Sequence, residues 1–426
     1  MSARPSWVGQ RRPRKVAVVG AGIVGLATAW HLLERGVGVT VLERSGVAAG
    51  ASFGNAGWLT PGLAVPLADP AVLGYGVGAI LDPASPISVP PQADLGLALF
   101  LARFAARCRM PQWRRTMAAL VPLNTMALEA YDQLEAGGLE VRTVPGPMVA
   151  AFTTEKAVAS LFHELDLIRA AGQDVDAERV DGERVREMAP VVSPDVGFGV
   201  VIKGQRRIDP GPFMESLADA VRARGGEVRV GAEVARLRHG AGGIFVDVVG
   251  GEPVRADQVV LATGAWLPRL AGPHGVRQPL RAGRGYSFSV PGPDSELAVP
   301  VYFPHERLVC TPLGGGRIRI GGTMEFRPTD APLVQARIDG LVSTGRPLLP
   351  SLDLSAAARE DEWVGSRPVT LDGLPLVGPA RTPGVWVHGG HGMWGMCQGP
   401  ATARLLVEQM MTGTVPEALR PLDPLR

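Results

Sequence analysis

The alternation of apolar and polar positions sets out a chain of strands and helices before any motif is considered. Positions 16–19 form a β-branched run that predicts a buried strand, and from Ile23 the residues Leu26, Ala29, Trp30 and Leu33 recur at helical spacing. Gly36 and Gly38 end that helix, and positions 39–42 predict a second strand. An irregular stretch rich in Pro, Gly and Ala covers 63–93, after which helical periodicity returns over 94–107 and 114–136 and stops at Gly137-Gly138. Beyond Val141 the period changes. Strands near 148–152 and 197–203 flank a helix at 154–172, Asp209 and Pro210 open a helix over 213–224, and 227–230, a meander at 232–254 and 258–263 follow as strands. Runs at 285–290, 299–303, 308–312 and 317–323, separated by Gly and Pro, predict an antiparallel sheet. A helix at 332–348, a strand at 384–387 and a helix at 400–411 complete the pattern.

Between the first strand and helix lies Gly20-Ala21-Gly22-Ile23-Val24-Gly25, a GxGxxG turn in strand-to-helix context, with Glu43 at the end of the second strand. In such a unit Gly20 permits the tight turn, Gly22 lets the backbone approach a pyrophosphate, and Gly25 lets helix and strand pack closely. Free N–H groups at the helix start then hold the diphosphate, and Glu43 accepts from an adenosine ribose. The motif by itself does not choose between FAD and NAD. Two further stretches share the chemistry of close backbone approach: the small-residue loop over 45–62, SGVAAGASFGNAGWLTPG, and the strand end Thr263-Gly264-Ala265. A third glycine loop, Gly389 to Gly395, precedes the last helix.

Composition narrows the classes of function. The 43 basic and 41 acidic residues leave a net charge of +2, which gives no argument for a nucleic-acid partner. Lysine occurs only at 15, 156 and 203, so arginine identity carries little weight and context must select a functional one. Cys108, Cys310 and Cys397 are odd in number and widely spaced, which suggests a reducing compartment and neither a disulfide framework nor a metal site. The basic N-terminal stretch runs into a strand, not a signal-peptide apolar region, and no charge-poor run approaches the roughly 20 residues that span a bilayer. The expected location is cytoplasmic, at most peripheral at the inner face of a membrane.

VVGAGIVGLATAWHLLERG with Glu43, GASFGNAGWLTPG, VVLATGAW, RGYSF, RIRIGGTMEF, GSRPVTLDGLPLVG and GGHGMWG together resemble the FAD-dependent D-amino-acid oxidase and dehydrogenase superfamily, which includes glycine and sarcosine oxidases. Within it the chain is most similar to the D-amino-acid dehydrogenase branch, which shares the helical insertion and an S-x-x-N-A-G loop, here Ser52 to Gly57. The resemblance implies an α/β (α+β) fold in which a Rossmann-like FAD-binding domain, 14–70, 205–276 and 360–420, joins an antiparallel-sheet substrate domain, 141–204 and 277–359. The helical insertion would be 71–140. It implies non-covalent FAD contacted by Gly20, Ala21, Gly22, Ile23, Gly25, Glu43 and Arg44. Ser52, Asn55, Ala56, Gly57, Val234, Thr263 and Gly264 would add further contacts, and so would Gly390, His391, Gly392, Met393 and Gly395.

The implied reaction is hydride transfer from an amino acid to flavin N5, giving an imine that hydrolyses to a 2-oxo acid and ammonia, with a quinone, a carrier or O2 as electron acceptor. Arg367 occupies the family's carboxylate-binding position. Tyr286 and Tyr302 are candidates to border the substrate or to be half-buried sheet tyrosines, and His391 is a general base or else a structural or flavin-contacting residue. The chain departs from the family at Leu371, at Cys397-Gln398-Gly399-Pro400, and at Leu308, Val309 and Cys310, where a glycine oxidase has a substrate tyrosine. Two other readings stay open: an oxygen-using oxidase of a secondary or N-methyl amino acid, and a non-catalytic FAD-binding subunit.

Overall fold

The computed structural model describes residues 12–71, 85–292 and 298–426. The basic N-terminal stretch up to residue 11, and positions 72–84 of the irregular segment, lie outside the described residues. One sheet has six strands in the order Leu376–Pro379, Val385–Gly389, Gln258–Leu261, Lys15–Val19, Gly38–Leu42 and Glu227–Arg229. All neighbours are parallel except Leu376–Pro379, which runs antiparallel at the edge. A parallel sheet must be covered on both faces, and the period of two in the sequence shows how. Val16, Val18, Val39, Val41 and Val260 point into a core shared with the helices Ile23–Glu34, Pro210–Ala223 and Gly395–Thr412. Ala17, Val19, Val259 and Leu261 point the other way, toward the small antiparallel sheet of Val234–Gly240, Gly243–Val248 and Val254–Ala256.

The second sheet is mixed. Its main path follows Glu360–Thr370, Leu280–Pro291, Arg317–Phe326, Leu308–Pro312, Val301–Phe303, Val144–Phe152, Phe198–Arg207 and Trp58–Leu59. Most neighbours are antiparallel, as the turn signals predict, but Val301–Phe303 runs parallel to Val144–Phe152, and Ile87–Ser88 parallel to Arg317–Phe326.

Two segments sit differently from the expectation. Glu360–Thr370, expected with the nucleotide-binding segments, is hydrogen-bonded along its length to Leu280–Pro291, with Gly283 opposite Arg367. The helix Met110–Ala136, expected within an insertion, contributes Leu120, Leu123, Tyr131 and Leu134 to the same core as Leu26 and Trp30. In the preceding helix, Leu95–Ala105, periodicity predicts an apolar face of Leu97, Phe100, Leu101 and Phe104, and of these Leu97, Phe100 and Phe104 are buried with Phe326 and Val369. Leu95 and Leu99 project outward, 89% and 53% exposed. No helix among the described residues is long and apolar enough to cross a membrane.

Candidate functional site

The glycine turn, the small-residue loop, the Thr263 strand end and the last glycine loop converge on one cleft of about 1280 Å³, counted out to open solvent. At its base, Gly20 has φ +109°, and a Cβ there would lie 2.5 Å from the carbonyl oxygen of Ala262. A Cβ on Gly25 would lie 2.0 Å from the Gly20 oxygen, whereas at Gly22 it would meet only Ser52 Oγ at 3.4 Å. Gly20 and Gly25 therefore draw strand and helix together, and Gly22 keeps the helix start open to the cleft. The Glu43 carboxylate accepts from the N–H groups of Ala21 and Ser45, each at 2.9 Å, and Ile23 N–H donates to Ser52 Oγ at 3.2 Å. Each Glu43 oxygen keeps a further lone pair for a ribose hydroxyl. Arg44 lies 4.0 Å over the Trp266 ring, and both side chains donate to Asp330 Oδ1, at 3.1 and 2.9 Å.

Asn55, Val234, Thr263 and Gly264 also line this cleft, and so do Gly392, Met393 and Gly395. The Thr263 hydroxyl is buried without a partner among the described residues, as expected of a group kept for a ligand. Ala21, Gly25, Ala56, Gly57 and Gly390 are not on the wall. Gly57, at φ +72°, would carry a Cβ 2.2 Å from the Ile208 oxygen, and Gly390, at φ +75°, is pressed against Thr370 and Leu376. These residues shape the loops, and their neighbours line the cleft. Open helix N–H groups, an acceptor at the second strand end and an orphan hydroxyl fit a dinucleotide cofactor.

At the other end, Arg367 enters from Glu360–Thr370. Its Nη1 donates to the Thr323 carbonyl at 2.9 Å, and its guanidinium lies over Gly285, where a Cβ would meet Nη2 at 2.0 Å. No carboxylate forms an ion pair with Arg367 among the described residues, and burial lowers its pKa to about 10. Asp372, the acid that a structural role would use, is held by Arg426 at 2.8 and 3.0 Å. Thr323 has φ +58°, an unusual conformation for a β-branched residue, and it is this backbone whose carbonyl meets Arg367.

The tyrosines do not reach the cleft. Gly285 lies under Arg367 and Ser287 donates to the Gly54 carbonyl at 2.8 Å, so strand alternation turns the intervening Tyr286 into the opposite core. There its hydroxyl donates to Glu325 at 2.6 Å, and burial raises its pKa. Tyr302 packs edge-on against Trp58, ring centroids 5.4 Å apart, away from the cleft wall. Asp330, unmarked in the sequence analysis, meets two residues of the cleft wall, Arg44 and Trp266, and Trp363 packs behind the wall against the small-residue loop. A Cβ on Gly54 or Gly365 would strike the Trp363 ring, at 2.1 and 1.8 Å.

His391 lines the cleft, but burial lowers its pKa to about 3, so at neutral pH it is an uncharged ring and a weak base. Burial likewise lowers the pKa of His31, to about 3, and holds that of His388 well below the usual imidazole range. A base with a depressed native pKa takes up its proton mainly in the unfolded state, so stability is full above pH 6.5 and is lost as pH falls from there toward 3. Each histidine should contribute a slope of up to about 1.4 kcal/mol per pH unit in that window. Scanning calorimetry between pH 7 and 4.5 should show a steep fall in Tm, and a flat Tm would contradict neutral burial. Among the described residues no group of three His, Cys, Asp or Glu could hold a metal, and the three cysteines are buried thiols.

Residues 15–409 match a family described as FAD dependent oxidoreductase. The chain is 32% identical over 414 residues to the D-amino acid dehydrogenase of Xanthobacter autotrophicus, spanning 95% of this chain and 96% of that protein. It is 32% identical over 412 residues to that of Methylobacterium nodulans, again spanning 95% and 96%. Among solved structures, glycine oxidase from Geobacillus kaustophilus matches with a TM-score of 0.72 at 24% identity, covering 98% of this chain and 99% of that one. At that identity the likeness concerns the fold.

Proposed function

The chain belongs to the FAD-dependent oxidoreductase family, and from that premise we propose that it oxidises the Cα–N bond of a D-amino acid to an imine. The observation that carries this reading is Arg367, a cation on the wall of the cofactor cleft with no acid paired to it among the described residues. FAD, when bound, supplies the hydride acceptor at flavin N5. The glycine turn and Glu43 would hold the adenosine diphosphate, and the Gly389–Gly395 loop the redox ring.

The chain's own residues then have an orienting task. The Arg367 fork takes the substrate carboxylate in a bidentate pair, which fixes the direction of the Cα–H. The Thr323 carbonyl and the extended backbone before Pro368 hold the guanidinium in place. The same positive charge disfavours an ammonium nearby and so helps the amine to be neutral. No general base is needed, in keeping with a neutral His391. The D configuration follows the named activity of the relatives.

Anaerobic assays with an artificial dye across D- and L-amino acids, proline and N-methyl amino acids should give turnover with D-amino acids. Turnover confined to L-amino acids or to N-methyl amines would overturn the assignment.

We further infer that electrons leave to a quinone at an anionic membrane face. Leu95 and Leu99 project from an exposed helix, and Arg103, Arg109, Arg114 and Arg115 are exposed beside them in sequence. No acidic residue lies between positions 95 and 128. An apolar ridge in a basic, acid-free stretch suits anionic lipid. Reduced enzyme should therefore reoxidise faster with anionic vesicles carrying quinone than in air-saturated buffer. Leu95→Asp with Leu99→Asp should slow the vesicle reaction alone. Equal rates on vesicles for parent and variant would remove this surface from the proposal.

A further inference from the structure

Behind the cleft, four buried side chains form a hydrogen-bonded line that the proposed reaction does not use. Thr28 Oγ1 lies 2.7 Å from the Val24 carbonyl and 2.8 Å from His388 Nδ1. His388 Nε2 lies 2.8 Å from Thr402 Oγ1, and His391 Nε2 lies 2.9 Å from the same hydroxyl. Thr28, His388 and Thr402 are fully buried and His391 is 4% exposed. With both rings neutral, each histidine carries one proton and each threonine one.

That count leaves a single arrangement satisfying all four contacts. A carbonyl only accepts, so the 2.7 Å approach to Val24 takes the Thr28 proton. The bond between Thr28 and His388 is then donated by His388 Nδ1–H. His388 Nε2 is therefore bare and accepts from Thr402, and the Thr402 oxygen accepts from His391 Nε2–H. The longer approaches of Thr402 to the carbonyls of Gln398 and Gly399, at 3.1 and 3.0 Å, go without a proton. In the reverse direction Thr28 and the Val24 oxygen would face each other at 2.7 Å with no proton between them.

We propose that Thr28, His388 and Thr402 are positioning residues that lock His391 in its Nε2–H tautomer, so that Nδ1 is a fixed hydrogen-bond acceptor for an N–H or O–H group of bound FAD. His391 Nδ1 bonds to no protein group among the described residues and is not sealed off, and the residue lines the cleft beside Gly392 and Met393. A bare imidazole nitrogen accepts from an imide N–H or a ribityl hydroxyl, and it repels an anion. This assigns to His391 recognition of a donor on the cofactor and excludes proton donation to it.

The proposal rests on the cofactor reading above, and the test separates the two. FAD is titrated into apoprotein of the parent, His391→Asn, His391→Leu, Thr402→Val and Thr402→Ser. Asn places an amide oxygen where Nδ1 was and should bind FAD within about threefold of the parent, and Leu should bind at least tenfold more weakly. Thr402→Val should weaken FAD binding several-fold and Thr402→Ser should restore it. Long-range proton–nitrogen NMR of histidine-labelled holoenzyme should show His391 protonated at Nε2 in the parent and in the Ser variant. Leu and Asn binding FAD alike, or a proton on Nδ1 in the parent, would overturn the proposal. Should Leu fail to fold, the parent's NMR spectrum decides. Failure of every apoprotein, the parent included, to bind FAD would instead overturn the cofactor reading.

Discussion

Arg367→Leu is expected to lower kcat/KM for the amino-acid substrate at least about 100-fold. A hydrogen bond to a charged group contributes roughly 1.5 to 3 kcal/mol and a bidentate pair more, while each 1.36 kcal/mol is a factor of about ten in rate. Because the carboxylate aligns the Cα–H, part of the loss should appear in kcat as well as in KM. Arg367→Lys should recover only part, since the charge stays and the fork is lost. Folding should be affected little, because Arg367 bonds only to the Thr323 carbonyl among the described residues and not to Asp372. The measurement is steady-state kinetics on variants whose flavin content and Tm match the parent. Unchanged turnover and KM would remove Arg367 from the substrate site, and the amino-acid reading would lose its main support.

Gly25→Ala is expected to abolish cofactor retention, with less than about a tenth of the parent's FAD on the purified protein. The added methyl would lie 2.0 Å from the Gly20 oxygen and 3.3 Å from the Ala262 side chain. The first neighbour is backbone and cannot rotate away, so the helix must move off the strand. Overpacking of this kind costs about 1–3 kcal/mol, and here the displacement falls where N–H groups meet the diphosphate. Gly46→Ala is the control: no atom lies within 4 Å of its Cβ, and it should keep both FAD and Tm. The visible-to-ultraviolet absorbance ratio reads the outcome directly. Full flavin content in Gly25→Ala would show that the glycine is dispensable and would weaken the case for the turn as the diphosphate cradle.

The nucleotide end of the site was legible because its logic is local. Strand, turn, helix, second strand and Glu43 lie within thirty positions, and the spacing that identifies them in the sequence also builds them. The central parallel strands could likewise be read from their short Val-rich runs, since burial on both faces demands apolar residues at nearly every position. The substrate end could not be read in this way. RGYSF and GSRPV mark the strands Leu280–Pro291 and Glu360–Thr370, but which of Gly285, Tyr286 and Ser287 faces the cleft depends on a pairing between segments far apart in the chain. A shift of one residue exchanges the faces, so in sequence Tyr286 reads equally as a substrate neighbour or a half-buried sheet tyrosine, and the structure makes it a buried partner of Glu325.

The helices near residue 100 divide the same way. Periodicity predicts them and their apolar face at Leu97, Phe100, Leu101 and Phe104, but what covers that face, Phe326 and Val369 from distant strands, is decided only by the tertiary structure. The sequence by itself determined the strand–glycine-turn–helix unit and the class of fold, and it singled out Arg367 as the candidate carboxylate-binding arginine. Tertiary structure alone decided that Arg367 is left without an acid among the described residues, that Asp372 pairs with Arg426, and that two histidines, one in the strand Val385–Gly389 and one in the glycine loop after it, end in a line of threonines. Those facts are contacts between groups distant along the chain, and spacing within a sequence carries no information about which distant group occupies a side chain's last few ångströms.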